Sequence, residues 1–362
     1  MTKKKKALII IISIFAAILI LIAGAFAVII HKGYGMTVAR ALITDNNTYM
    51  MIDENSPIVM STTKDKDEFF KNIKTGDKIF VLHSGIAESY PAQTGAYLCI
   101  KLEDGSVNDI NSEVILQLSE LGWLSDDFGG VTIDKMQVTL PEENAVADML
   151  AFFIYNGKSY VAYEELPDDS LKGKYIGKAT GSIDEWTSPE DYIDFSGSIS
   201  GEIYELNGYD SDFMLCIDNG NGTITTYINN NGIKLTYGYE LFRNRLKLKD
   251  NYTAVKYQTR DDWYYNFDDP VDFGNKEAIN TFIDALNDGR FMYSADILVE
   301  NENSNIYDEK EIYHLFFEMK DSTYVHLRLF DGGYVMFAGI SDVCVKMTDS
   351  DFNNLIKLFT ED

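Results

Sequence analysis

The sequence predicts an α+β chain: one N-terminal transmembrane helix, a small Greek-key β-barrel, a β-rich middle region and a C-terminal α+β sandwich. Three observations predict it. Residues 7–30 contain no charged side chain. From residue 36 onward, short runs of alternating apolar and polar residues recur between Gly, Asn and Asp clusters, the pattern of half-buried strands. Near the C-terminus, two runs with apolar residues at helical spacing frame a group of such strands. The domains expected are 1–35 (cytoplasmic lysines, membrane helix and connector), 36–107 (barrel), 108–270 (middle) and 271–362 (sandwich).

The apolar run is interrupted only by Ser13 and Gly24. As a helix it would be about 36 Å long, enough to cross a hydrocarbon layer of about 30 Å with modest tilt. Lys3, Lys4, Lys5 and Lys6 precede it, and the positive-inside rule keeps them in the cytoplasm. The expected localisation is therefore the cell membrane, single-pass, with the body extracellular. A cleaved signal peptide has an apolar region of about 7 to 15 residues before a small-x-small site. Ala25-Phe26-Ala27 supplies such a site, but the apolar run is too long. A lipid anchor needs a cysteine just after the run, and the first is Cys99. A buried core helix is argued against by the length of the charge-free run and its lysine flank.

The chain of 362 residues carries a formal charge of −26, and four of its cations stand before the apolar run, so the body is strongly acidic. Nucleic-acid binding depends on clustered Lys and Arg and is excluded. Acidic polymers and anionic membrane surfaces are disfavoured as ligands, whereas cations and basic partners are attracted. With 46% hydrophobic and 13% aromatic residues, the body is globular rather than disordered. Cys99, Cys216 and Cys344 are odd in number and widely separated, which gives no disulfide framework. Each sits in a strand-like run and is expected to be a buried thiol. An exported protein without paired cysteines suits an outward-facing bacterial envelope.

In chain order, strands are expected at 36–43 and 47–52 with a turn at Thr44-Asp45-Asn46, and a third at 57–60. A short helix over 65–73 follows from the spacing of Phe69, Phe70 and Ile73. Thr75-Gly76-Asp77 turns into a strand at 78–85, and 96–102 pairs back. Five short strands and one helix close most readily as a small barrel.

Lys74-Thr75-Gly76-Asp77-Lys78-Ile79, followed by Gly85-Ile86-Ala87-Glu88-Ser89-Tyr90-Pro91-Ala92-Gln93, resembles an uncharacterised small OB-like barrel family. Its members are secreted and membrane-anchored proteins of Gram-positive bacteria, sometimes beside the sensor regions of membrane metallopeptidases. The resemblance covers the barrel alone. It implies a fold and a compartment and supplies no catalytic residue. Pro91 fixes its own φ and biases Tyr90 towards extended backbone, so the loop is expected to be stiff. It presents Glu88, Tyr90 and Gln93 together, as a binding edge or as a barrel corner closed by Tyr90.

Ile110, Val114, Ile115, Leu118 and Leu121 make a helical stripe stopped by Gly122, expected to open the middle domain, with a strand-like run at 131–140. Asn156-Gly157 marks a hairpin between 150–155 and 159–163. Two further strands flank Asp218-Asn219-Gly220-Asn221-Gly222. A calcium loop fails there because Asn229 stands where the bidentate Glu belongs, which leaves a β-turn. Residues 235–248 are read as a short helix running into a strand, and 252–258 as a strand.

Residues 260–275 are the densest acidic and aromatic stretch. Trp263, Tyr264, Tyr265 and Phe267 can stack on a sugar ring while Asp261, Asp262, Asp268 and Asp269 bond its hydroxyls. Alternatively the stretch is a linker whose rings pack between domains. Asn275 caps a helix at 276–287, strands are expected at 295–299, 312–319, 324–330, 334–338 and 343–347, and a helix at 349–359 closes the chain.

The site residues that emerge are Glu88, Tyr90, Gln93, Trp263 and Tyr265, as binding residues. No HExxH, GxSxG, Walker loop or CxxC occurs, no catalytic residue is assigned, and no cofactor is expected. Zinc held by His314, His326 and Glu318 is set aside, because a one-residue change of register is expected to separate the histidines. The partners expected are the lipid bilayer and an unidentified protein or envelope ligand. The function expected is binding, sensing or accessory work at the envelope, with a cell-wall glycan binder or hydrolase as the alternative.

Overall fold

The computed structural model describes residues 33–125, 128–134, 150–167, 169–184, 187–297 and 305–360. The membrane helix expected at 7–30 lies outside them. Among the described residues no helix is long and apolar enough to cross a membrane. The fold is mixed α+β and strand-rich, in two compact units, Met1–Phe128 and Gly129–Asp362.

The first unit is a closed five-stranded barrel. Its strands are β1 (Gly35–Ile43), β2 (Tyr49–Asp53), β3 (Ser56–Ser61), β4 (Lys78–His83) and β5 (Ala92–Glu103), joined in the order β1-β2-β3-β5-β4. All pairs are antiparallel except β3 with β5, where Ile58 lies opposite Ala92. Small and medium side chains fill the interior: Ala39, Ala41, Met51, Ile58, Met60, Ile79, Val81 and Ala96. After β3 the short helix α1 (Lys66–Phe69) leads to Phe70, which stacks on Tyr49 at 4.3 Å between ring centres. The Gly76-Asp77 turn is a stitch. Asp77 is buried, and its carboxylate accepts from Lys74 N at 2.8 Å and from Gly105 N at 3.1 Å. Helix α2 (Ser112–Glu120) lays Val114, Ile115 and Leu118 over Leu42, Met50 and Ile52. The helix expected to open the middle domain thus belongs with the barrel.

Among the described residues, the second unit has three sheets. Strands β7 (Phe152–Tyr155), β8 (Lys158–Leu166), β9 (Lys172–Thr180), β10 (Ser200–Leu206), β11 (Met214–Asp218) and β12 (Ile224–Asn229) form a six-stranded sheet in the order β7-β8-β12-β11-β10-β9. The Asn156-Gly157 turn is as expected, with φ of 51° and 67° and Tyr155 opposite Lys158. The Asp218 turn is a hairpin tip whose Asp218 pairs with Lys172 at 2.5 Å. Strands β6 (Val131–Asp134) and β13 (Asn231–Leu235) pair separately. After β13 comes α3 (Gly238–Phe242), with no strand at 243–248.

The seven-stranded sheet contains β14 (Tyr252–Thr259), β15 (Val271–Asp272), β16 (Arg290–Tyr293), β17 (Glu311–Met319), β18 (Tyr324–Phe330), β19 (Tyr334–Phe337) and β20 (Val343–Lys346), in the order β15-β14-β17-β18-β19-β20-β16. Helices α5 (Lys276–Asp288) and α7 (Asp349–Thr360) cover one face. Their Ile279, Phe282, Ile283, Leu286, Phe352 and Leu355 join a core that also holds Leu315, Phe317, Leu327, Val335, Met214, Ile224 and Ile228. The expected boundary at 270/271 therefore runs through one hydrophobic core. Of the strand expected at 295–299, residues 298 and 299 lie outside the described residues; 294–296 make a single 3-10 turn, and the preceding strand is Arg290–Tyr293.

Candidate ligand-binding site

The opposite face of the seven-stranded sheet carries the second unit's concentrated polar chemistry. Strand alternation directs Leu315, Phe317 and Leu327 into the core and leaves His314, Phe316, His326 and Arg328 on the other side. Two short helices border that face: α4 (Arg260–Tyr265), directly after β14, and α6 (Ile306–Glu309), directly before β17. Thr259 caps α4 by accepting from Asp262 N, and Asn266 ends it in the left-handed region at φ 54°.

The two histidines expected to be apart are joined: His314 Nδ1 and His326 Nε2 are 2.8 Å apart. The register explains it. The regular register running back from the hairpin turn places His314 opposite Arg328 and Phe316 opposite His326, so the histidines are diagonal neighbours on one face; the shift between Glu311 and Tyr313 changes the pairing only at Glu311, which lies opposite Phe330. Glu318, the third residue weighed for zinc, is engaged by Lys256 at 2.7 Å. An imidazole pair bonded nitrogen to nitrogen cannot turn those atoms to one metal. Among the described residues no group of three or more His, Cys, Asp or Glu is placed to hold a metal.

Glu311 completes the network. Its carboxylate takes a two-pronged contact from Arg328 at 2.5 and 2.8 Å, and His314 Nε2 stands 3.2 Å from Oε1, off the line of a hydrogen bond. Burial alone would raise the Glu311 carboxyl, but His314 and Arg328 outweigh it and bring it to about 2. Burial lowers His314, against the pull of Glu311. Burial, with His314 and Arg328 close by, pushes His326 down to about 3. Both imidazoles are therefore neutral near pH 7. The set is best satisfied with the His314 proton on Nε2, facing the carboxylate, and Nδ1 accepting from His326 Nε2–H.

Trp263 lies over this network, stacked on His314 at 4.3 Å with Arg328 5.7 Å from its ring centre. Its neighbours point to water: Trp263, Tyr264, Tyr265 and Phe267 are 40 to 69% exposed. Tyr265 stacks on Phe267 at 5.2 Å and meets Tyr264 edge-on at 5.0 Å. Arg260 sits over Tyr264 and bonds Asp261 at 3.1 Å, while Asp262 takes the Thr259 hydroxyl proton at 2.5 Å. The result is a ledge of aromatic surface on a rigid polar mount. Residues 260–265 are thus a helix whose rings are largely open, rather than an interdomain linker.

The other sequence-predicted residues belong to the first unit. Glu88 lies in an exposed loop and Gln93 is exposed at the start of β5. Tyr90 donates to Gln117 of α2 at 2.6 Å, so its hydroxyl ties loop to helix as a corner would. Trp263 and Tyr265, named from the sequence, both stand on α4, Trp263 against His314 and Tyr265 against Phe267. Sequence reasoning missed Glu311, Arg328 and the joined histidines: the histidines depend on diagonal neighbours across a hairpin, and Glu311 on a shift next to Tyr313, neither of which leaves a periodic signal. A shallow cleft of about 260 Å³ between α5 and α7, bordered by Asn275, Thr281 and Asp351, holds none of the predicted residues. Comparison of the chain with protein-family models, with curated proteins and with solved structures returns no match.

Proposed function

We propose that this protein is a membrane-tethered, extracytoplasmic binding module of the bacterial cell envelope, and that it engages its ligand through the aromatic ledge on α4. The ledge carries the reading. Exposed rings cost free energy in water, and four within five positions, backed by a buried ion pair and two neutral imidazoles, form a preorganised contact surface. The tether rests on the charge-free run at 7–30 and its lysine flank, and the outward compartment on the acidic body and free cysteines. The OB-like reading of the barrel agrees with the parallel β3–β5 closure.

The geometry favours a non-catalytic role. His314 is fully buried and Glu311 nearly so, and each is engaged within the network, which makes them a support for Trp263. The glycan reading keeps the rings but loses two of its four acids, since Asp261 and Asp262 are occupied by Arg260 and Thr259. A ligand that meets the ledge through apolar and stacking contact, such as an envelope protein, fits better.

The test is a pull-down with the full chain and a Tyr264→Ser/Tyr265→Ser/Phe267→Ser variant, against solubilised membrane proteins and against purified wall. Saturable capture of one membrane protein, lost in the variant, supports the reading. Retention on wall that the variant loses replaces the protein ligand by a glycan. Equal behaviour of both chains on both materials removes the ledge from function.

A further inference from the structure

The barrel carries a second unpartnered surface, remote in sequence from the ledge. On its outside, two rows of three apolar side chains cross β1, β4 and β5: Met36 opposite Leu82 opposite Leu98, and Val38 opposite Phe80 opposite Ile100. Val38, Leu98 and Ile100 are 41 to 51% exposed. Barrel alternation explains the rows, because Ala39, Ile79, Val81 and Cys99 take the inward positions and leave these outside. A soluble surface has no use for six adjoining apolar side chains.

What lies against them follows from where the chain enters. The apolar run of the sequence ends at Ile30 and β1 begins at Gly35, so the link can span at most about 17 Å. Met36 and Val38 are therefore held close to the point at which the chain leaves the hydrocarbon. The row nearest that point is rimmed by Tyr34 and Tyr97, 4.9 Å apart, the residue type that seeks the lipid headgroup level. Farther along the same face Arg40 is paired with Asp109 and Lys78 with Glu103. The rim is thus neutral, where an acidic chain would otherwise be repelled by a membrane.

We infer that this outer face of β1, β4 and β5 rests on the lipid surface from which the chain emerges, with its apolar side chains at the acyl boundary and the two tyrosines among the headgroups. Contact of this kind is held by apolar area and is insensitive to salt. It fixes the barrel against the bilayer and makes the first unit a rigid foot rather than a bead on a flexible stalk. The inference rests on the membrane tether proposed above.

The experiment uses the full chain in phosphatidylcholine vesicles. Cys99→Ser removes the partly accessible thiol, and a polarity-sensitive fluorophore is placed through Leu98→Cys, Ile100→Cys or, as an off-face control, Glu120→Cys. Carbonate washing and flotation report the tether separately. The expected result is a blue-shifted emission at positions 98 and 100, quenched by lipids carrying a nitroxide near the headgroup, unchanged by 0.5 M salt and absent at 120. Water-like emission at 98 and 100 in a chain that floats with the vesicles overturns the resting face and leaves the tether standing. Shielded emission that nitroxide lipids do not quench, and that fades on dilution into more lipid, overturns it in favour of a second copy of the barrel. A chain that does not float overturns the tether and this inference together.

Discussion

Asp77 shows how a turn residue can carry more than a turn. Gly76 precedes it at φ +91°, and a Cβ there would lie 1.9 Å from the Ser106 carbonyl oxygen, so only glycine lets the two loops touch. The Asp77 carboxylate then spans that contact, binding Lys74 N and Gly105 N with Lys101 3.5 Å away. Asp77→Ala would leave two half-buried amides without their acceptor and lower stability by about 1–3 kcal/mol. The check is a shift of the urea midpoint at unchanged slope. At the same scale, the Glu311 network gives stability a pH dependence of definite sign. Between about 3 and its ordinary 6.5, folded His326 binds fewer protons than the unfolded chain, so its contribution is complete above 6.5 and is lost on acidification. His314 is lowered too and acts in the same direction, facing Glu311, Arg328 and Arg260. Glu311 adds a second loss below its ordinary 4.5, extending to about 2. Melting temperature should therefore fall from pH 6.5 downward and more steeply below 4.5. His326→Gln should shallow the first segment and spare the second, and a variant that melts with the wild-type pH profile contradicts the assignment.

At the level of elements, α4 depends on its ends. A helix of six residues has few internal hydrogen bonds to offset nucleation, so the Thr259 cap and the left-handed Asn266 contribute much of its local stability. Thr259→Ala should cost about 1 kcal/mol there. Hydrogen exchange across 260–266 should accelerate and Trp263 emission should move to the red as its stack on His314 loosens. Unchanged exchange in that segment would show that packing on β17 alone holds the helix. The shortness of α4 also explains why the sequence did not announce it: Arg260-Asp261-Asp262-Trp263-Tyr264-Tyr265 has no apolar stripe to read. Strand β9 escaped for a related reason. Its Lys172, Lys174 and Lys178 guard a sheet edge, where charges replace alternation. The barrel strands, the Asn156-Gly157 hairpin, α5, α7 and β17 to β20 were legible because periodicity, turn chemistry and caps agreed in each.

For the whole molecule, the decisive fact is that a few strand pairs, β14 with β17 above all, join segments far apart in sequence. Reading along the chain places a boundary after the acidic stretch at 260–270, where composition changes. The sheet ignores it: β14, which precedes that stretch, pairs with β17 from Tyr252 opposite Met319 to Thr259 opposite Tyr313. The core under α5 and α7 likewise draws on Val131, Leu166, Leu206 and Met214, far upstream. Fragments should obey the core rather than the composition. Residues 33–128 contain every barrel strand and the helix that covers Leu42 and Met50, and should fold alone. Residues 129–362 should also fold alone. Residues 271–362 would leave β17 without β14 on one side and Leu315, Phe317 and Leu327 without the opposing sheet, exposing an apolar face and an open edge together, and should aggregate or remain molten. Dispersed amide NMR spectra from the first two fragments and a collapsed spectrum from the third would establish a two-unit body. A cooperatively folded 271–362 would refute the shared core.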